Sequence, residues 1–326
     1  MMKNVLKSMR LIILVATGLL ISLSIAHAQD ETTVSVLPAE STIVLNGANT
    51  CEVEIYITNG VNVNAFDITV TYDPDLLVLE NAVNGDYLSN LSKIIEIDNA
   101  GFYRLGVTQI ATPGVFGDGT LLTLTFSGVD SGVSPITITS LQLSTPEGSG
   151  SFPPVNHGTL RSFYEIPLSG TVMLQGQTVR DGVTVSLDAG TVFQMGPYSA
   201  VSQDQTGMNI DFGTVVGDTY GITAAFPRYI ALTQDSERIV TVSTEKTTLN
   251  PLRLLSGNAV WSDNVIDDLD VALVRAEYLK TTNDLGEGEI LVGDVNHDGV
   301  VDLKDLALVG GNYDLSSPDA YDDWVP

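Results

Sequence analysis

A single cysteine, Cys51, occurs in 326 residues, so no intrachain disulfide can form and stability has to come from buried area or from bound metal. Lys and Arg are scarce as well, 14 against 40 Asp and Glu, which leaves a formal net charge of −26. That anionic excess disfavours nucleic acid and anionic membrane surfaces as partners. Histidine is rare, and beyond the N-terminal segment only His157 and His297 remain. There is no Gly-x-Ser-x-Gly elbow, phosphate loop or zinc spacing. These absences remove the common routes to an activated nucleophile. Paired carboxylates leave no sequence trace, and Asp67 with Asp73 keeps a glycoside hydrolase open as the least favoured reading.

Only one long apolar run exists, Leu11 to Ile25, preceded by Lys3, Lys7 and Arg10 and followed by Ala26-His27-Ala28. This is the pattern of a secretory signal peptide over 1–28, and a run of about fifteen apolar residues is short for a bilayer-spanning helix. The expectation is a protein secreted to the extracellular space or cell surface, with no membrane insertion after signal cleavage. Cleavage would remove three cations and no anion, taking the charge from −26 to −29.

What the chain does contain is β-patterning. Val34–Val36, Cys51–Ile57, Ala65–Tyr72, Phe102–Val107, Leu121–Phe126 and Ile136–Ile138 are short alternating runs separated by turn residues, which predicts a sandwich over 31–162. Cys51 falls in such a run and reads as a small core residue. A second, smaller set, Gly170–Leu174, Val183–Leu187, Tyr220–Ala224 and Ile239–Ser243, predicts another sandwich over 170–252, with 163–169 as a linker. Among exposed-ring candidates for sugar stacking, Tyr87 and Phe116 lie in turn-rich segments.

The sharpest signal lies near the C-terminus, in Asp294-Val-Asn-His-Asp-Gly-Val-Val-Asp-Leu-Lys-Asp305. Ca²⁺ takes roughly six to eight oxygen ligands. Asp294, Asn296 and Asp298 supply them at loop positions 1, 3 and 5, the Val300 carbonyl at 7, Asp302 at 9 and Asp305 at 12, while Gly299 permits the sharp turn at 6. Position 12 is Asp where an EF-hand has Glu. Thirty-five residues upstream the pattern recurs in damaged form. Ala259 and Trp261 stand at positions 1 and 3, leaving Asp263, the Val265 carbonyl, Asp267 and Asp270 as a weak or lost site. A one-residue shift would bring in Asn258 but make the loop a residue too long. Trp261 is expected against Tyr321 or Trp324. From Asn258 to Pro326 sixteen acids face three bases, so metal binding would relieve repulsion and couple to folding.

These repeats, 257–278 and 293–313, resemble the two halves of a type I dockerin, placed here in a module over 255–326. The resemblance implies Ca²⁺ as a structural cofactor, a helix after each loop, and partner-facing positions at Leu303, Lys304, Gly310 and Gly311 in the second half and Asp268, Leu269, Arg275 and Ala276 in the first. Leu306 and Val309 are expected to pack on Leu269 and Leu273. Val61-Asn-Val-Asn-Ala-Phe-Asp67, Val70-Thr-Tyr-Asp-Pro74, Leu76–Glu80 and Gly119–Phe126 are similar to cohesin modules, which implies a jelly-roll sandwich. The opening Gly170-Thr-Val172, the segment Asp211–Tyr220 and Phe226-Pro-Arg-Tyr229 resemble carboxypeptidase-regulatory-like, prealbumin-type sandwiches that act as spacers. Together they imply a mainly β, non-catalytic scaffold or adaptor that binds dockerin- and cohesin-bearing proteins in polysaccharide-degrading or cell-surface assemblies. A carbohydrate-binding adhesin with polysaccharide as partner is the alternative.

Overall fold

A computed structural model describes residues 31–111, 113–177, 182–202, 209–233, 239–317 and 319–326. The signal peptide expected over 1–28 lies outside the described residues. The first unit comprises β1 (Thr33–Leu37), β2 (Glu40–Val44), β3 (Thr50–Val63), β4 (Ala65–Thr71), β5 (Leu77–Asn84), β6 (Leu91–Asn99), β7 (Phe102–Gln109), β8 (Val115–Gly128), β9 (Gly132–Ser144), β10 (Gly150–Ser151), β11 (Val155–Asn156) and β12 (Gly158–Phe163). One sheet runs β11-β1-β3-β8-β5 and the other β2-β12-β9-β4-β7-β6, with β10 on β9. Alternation drives the layering: Ile55, Ile57, Leu122 and Leu124 from one sheet meet Ile68, Val70, Leu105 and Ile136 from the other in one core. The turn after β4 is fixed where Asp73 accepts the Asp75 N–H and Leu77 N–H returns to the Asp73 carbonyl, which sends Leu77 into that core.

The second unit is built from β13 (Glu165–Leu174), β14 (Thr184–Leu187), β15 (Tyr198–Val201), β16 (Asn209–Val216), β17 (Thr219–Ala225), β18 (Ile239–Thr241) and β19 (Leu252–Leu254). They form two sheets, β16-β13-β19 and β15-β14-β17-β18. The expected linker at 163–169 is not one: β13 starts at Glu165 and buries Ile166 and Leu168. Pro167 and Ser169 suggest a turn, but the apolar residues alternate and decide the strand.

Two helices complete the chain, α1 (Asp268–Glu277) and α2 (Leu303–Gly311). Each opens on a capping box, Asp267 with Asp270 and Asp302 with Asp305, in which each carboxylate satisfies a backbone N–H of the first turn. The helices do not rest on a core of their own. Ala259, Ile266, Val274, Leu291, Val295, Val301, Val309 and Tyr321 join the second sandwich in one continuous hydrophobic cluster. Sandwich and C-terminal segment are therefore one packed body. No helix among the described residues is long and apolar enough to cross a membrane.

Candidate calcium loop and partner surfaces

The loop 294–305 turns sharply at Gly299, as its residue order predicts. Gly299 sits at φ +90°, a region a side chain rarely adopts, and the Asp294 carboxylate accepts N–H groups from Asp298 (3.1 Å) and Gly299 (2.9 Å) across that turn. Asp305, fully buried, accepts from Val295 (2.9 Å) and Asn296 (3.3 Å) through Oδ1 and from Asp302 (2.8 Å) through Oδ2. Burial pushes its carboxyl up to about 6 despite those donors. Asp294 and Asn296 are buried too, whereas Asp298 carries the Lys304 ammonium at 2.6 Å. Among the described residues no three Asp, Glu, His or Cys side chains converge as a ready metal cluster. The donors stand in register along the loop without being drawn to one point. Their chemistry nonetheless fits a hard cation: Asp294, Asn296, Asp298, Asp302 and Asp305 side chains and the Val300 carbonyl are all oxygen donors.

The loop rests on the second sandwich. Arg228 Nη1 donates to the Asp294 carbonyl at 2.7 Å, and burial lowers its guanidinium pKa against the raising pull of Asp294, Glu277 and Asp305. His297, at the non-ligating fourth position, lies over Tyr229 at 6.2 Å and 25° between ring planes, with Nε2 3.1 Å from the Pro227 carbonyl. Gln175 Oε1 and the Ser256 carbonyl both accept from Asn312 Nδ2, and Ser256 Oγ donates to the Val295 carbonyl. At Gly176, whose φ of +79° favours glycine, a Cβ would lie 2.7 Å from Leu308 Cδ1, so a larger residue would be strained and would push that side chain aside. Phe226-Pro-Arg-Tyr229 stood out in the sequence only as part of a resemblance. Its role as the seat of the loop was not legible there, since nothing local pairs residues 228 and 294.

The first loop repeats much of this geometry. Val260 N–H donates to Asp270 Oδ1 (2.8 Å), Asp267 N–H to Asp270 Oδ2 (2.8 Å) and Val265 N–H to Asp263 Oδ1 (3.3 Å), matching bonds 35 residues on. Leu279 and Asp314, also 35 apart, both take positive φ and bond to the Val301 and Ile266 carbonyls respectively. The duplication read from sequence is thus a structural one. Trp261, expected against Tyr321 or Trp324, is instead 67% exposed; Tyr321 is held by the Ile230 carbonyl and the Leu255 N–H, and Trp324 Nε1 by the Pro251 carbonyl.

The positions expected to face a partner are on the surface. Leu303 is 69% and Leu269 58% exposed, and Lys304, Gly310, Gly311, Asp268, Arg275 and Ala276 are exposed with them. Leu269 therefore does not receive Leu306 and Val309, because it follows the N-cap Asp267 on the outer face of α1; Val274 and Val309 carry the inward contact.

On the first sandwich, Asp67 is held by a two-point contact from Arg104, Nε to Oδ1 at 3.0 Å and Nη2 to Oδ2 at 2.7 Å, and so is not paired with Asp73. His157 Nδ1 accepts the Ile138 N–H. A shallow groove runs over β4, β7 and β6 beside exposed Ile94 and the Asp67–Arg104 pair. Tyr87, offered as a stacking platform, is buried with its hydroxyl on the Val115 carbonyl, because Gly60 and Gly119 open a slot for the ring; Phe116 remains exposed. Cys51 is half-buried.

The family model of the cohesin domain matches residues 47–152. Similar solved structures include a non-cellulosomal cohesin from Archaeoglobus fulgidus, 18% identical over 40% of this chain and 91% of that one with a TM-score of 0.35. A type II Cohesin-X-Dockerin complex from Acetivibrio cellulolyticus is 19% identical over 47% and 99% with 0.39, and a type I Cohesin-Dockerin complex from Clostridium thermocellum 14% over 41% and 99% with 0.35. No curated protein matches the chain.

Proposed function

We propose that the chain is a secreted, non-catalytic adaptor with two different docking ends. The cohesin domain receives dockerin-bearing proteins, and its candidate receiving surface is the groove over β4, β7 and β6. The C-terminal pair of loops and helices acts as a dockerin that engages cohesin-bearing proteins, in a polysaccharide-degrading or cell-surface context. The observation that carries this reading is the conjunction of a cohesin match over 47–152 with a duplicated loop-and-helix unit that leaves Leu269 and Leu303 exposed at equivalent positions. Calcium, held by Asp294, Asn296, Asp298, the Val300 carbonyl, Asp302 and Asp305, supplies structural charge neutralisation and no reaction chemistry. The second sandwich is then more than a spacer: it is the platform on which the loop sits.

Capture of the intact chain on immobilised dockerin-bearing and cohesin-bearing proteins tests the reading. Both should retain it in calcium, and chelator should release it from the cohesin. Retention only on a polysaccharide affinity gel would favour the adhesin, and release of reducing sugar an enzyme.

The two partner-facing sets differ in charge and size, Leu303 with Lys304 against Asp268 with Leu269, which favours a single binding orientation. One of Leu303→Asp and Leu269→Asp should cost about 2 kcal/mol of affinity, roughly 30-fold, and the other under about 0.5 kcal/mol. Surface plasmon resonance on an immobilised cohesin reads the difference; equal losses would mean the helix pair binds in both rotations.

A further inference from the structure

The first loop keeps the fold of the second while lacking ligands at positions 1 and 3, where Ala259 and Trp261 stand. Its remaining carboxylates accept the same backbone N–H groups as their counterparts 35 residues on, both oxygens of the fully buried Asp270 and one each of Asp263 and Asp267, so the difference between the loops lies at positions 1, 3 and 7. Asn258 lies directly before the loop and is fully buried. The amide end of Asn258 lies against the Val260 and Val265 carbonyls; as placed its nitrogen donates to the Tyr229 carbonyl at 3.5 Å, and with the amide oxygen and nitrogen exchanged it would donate to Val260 at 3.1 Å and Val265 at 3.2 Å. Val265 occupies position 7, the counterpart of Val300, whose carbonyl belongs to the ligand set of the second loop. In the exchanged orientation an N–H donor therefore meets the oxygen that a cation would otherwise hold. At position 6, where the second loop has Gly299, Asn264 takes φ +58° and binds Ala231 through both amide atoms, Oδ1 from the N–H at 2.6 Å and Nδ2 to the carbonyl at 3.1 Å. With two ligand positions lost and the exchanged Asn258 amide against the position-7 carbonyl, the first loop fits a metal ion less well than the second, and Asn264 ties it to the sandwich.

We infer that the Asn258 side chain replaces the cation in the first loop, so that this half of the module folds without metal and only the second half responds to calcium. This rests on the calcium reading of 294–305 for the contrast between the halves, but not for the role of Asn258. A consequence is that Asp268, Leu269, Arg275 and Ala276 form a surface present with or without calcium, whereas Leu303 and Lys304 are presented only when the ion is bound.

Hydrogen–deuterium exchange on the intact chain, with calcium and with chelator, tests this. The segment 257–270 should keep the same protection in both conditions, while 293–305 should exchange at least tenfold faster in chelator. Asn258→Ala should speed exchange of 257–270 at least tenfold in both conditions. Asn258→Asp turns the donor into an acceptor facing two carbonyls, and should make protection of 257–270 depend on calcium. A wild-type first loop that opens on chelation, an Asn258→Ala loop as protected as wild type, or an Asn258→Asp loop indifferent to calcium would each overturn the inference. Indifference of 293–305 to chelator would instead sink the calcium reading, leaving the Asn258 contacts to be judged by the Asn258→Ala result.

Discussion

Withdrawing calcium should lower the melting temperature of the second sandwich and C-terminal segment together by roughly 5–10 °C, and leave the first sandwich unmoved. The loop places four carboxylates within twelve residues, and Asp294 and Asp305 are almost wholly shielded from water. Unpaired charge in such a setting is costly, and a cation bound only to the folded form offsets it. With calcium at a hundred times its dissociation constant, the linkage gain is about 2.7 kcal/mol, which a body of this size converts into several degrees. The effect should reach the sandwich because Val295, Val301 and Val309 share one core with Val172, Tyr220 and Leu254. Scanning calorimetry should therefore resolve two transitions, of which only one shifts with chelator. Independent melting of the second sandwich, unchanged by calcium, would show that the shared core does not couple the two parts.

Tyr229→Ala should be the most damaging single substitution at the seam. The ring is buried, packs edge-on against Phe226 at 5.5 Å, lies over His297, and donates its hydroxyl to the Gln175 carbonyl at 2.9 Å. Truncation of a buried aromatic costs about 3–5 kcal/mol. Tyr229→Phe removes only the hydroxyl and should cost about 1 kcal/mol. Because Tyr229 and Arg228 form the seat of the loop, the alanine variant should also bind calcium more weakly, by at least tenfold in a titration. Denaturant unfolding measures the first effect and calcium titration the second. A variant that loses stability yet binds calcium as tightly as wild type would show that the seat does not preorganise the loop.

Much of this fold was legible in local pattern. The cores of β3, β4, β7 and β8 alternate over most of their length, broken by the buried run Ile68–Val70 and by the pair Leu121 and Leu122 beside a register shift. Strand β6 was missed because it is an edge strand with Ile94 facing solvent, so its burial shows no clean period. Residues 163–169 were misread because Pro167 and Ser169 look like a turn, while Ile166 and Leu168 carried the signal that prevailed. In the C-terminal segment the register of Asp294 to Asp305 and the 35-residue repeat were visible because both are contiguous. The seat of the loop was invisible, since the contact of Arg228 with Asp294 and the stack of Tyr229 on His297 span more than sixty residues. Asn258 entered the sequence reading only as a misregistered ligand; that its side chain is fully buried against the first loop is set by tertiary packing. The outward placement of Leu269 likewise follows from the capping geometry of Asp267, not from apolar periodicity.

The arrangement also explains how so acidic a C-terminal segment folds beside a sandwich. Sixteen acids lie in the last 69 residues, and a half-buried cation set against them, Arg228, comes from the neighbouring unit. Lys304, on the rim, bonds to Asp298 and approaches Asp302, and as an exposed contact it contributes little to stability. A divalent ion in the loop would take over the neutralisation that Lys304 provides at Asp298.

Calorimetric titration of the intact chain with calcium addresses the central claim most directly. One tight site is predicted, and Asp294→Ala should abolish it. Heat unchanged in that variant, or no binding by the wild-type chain, would contradict the account.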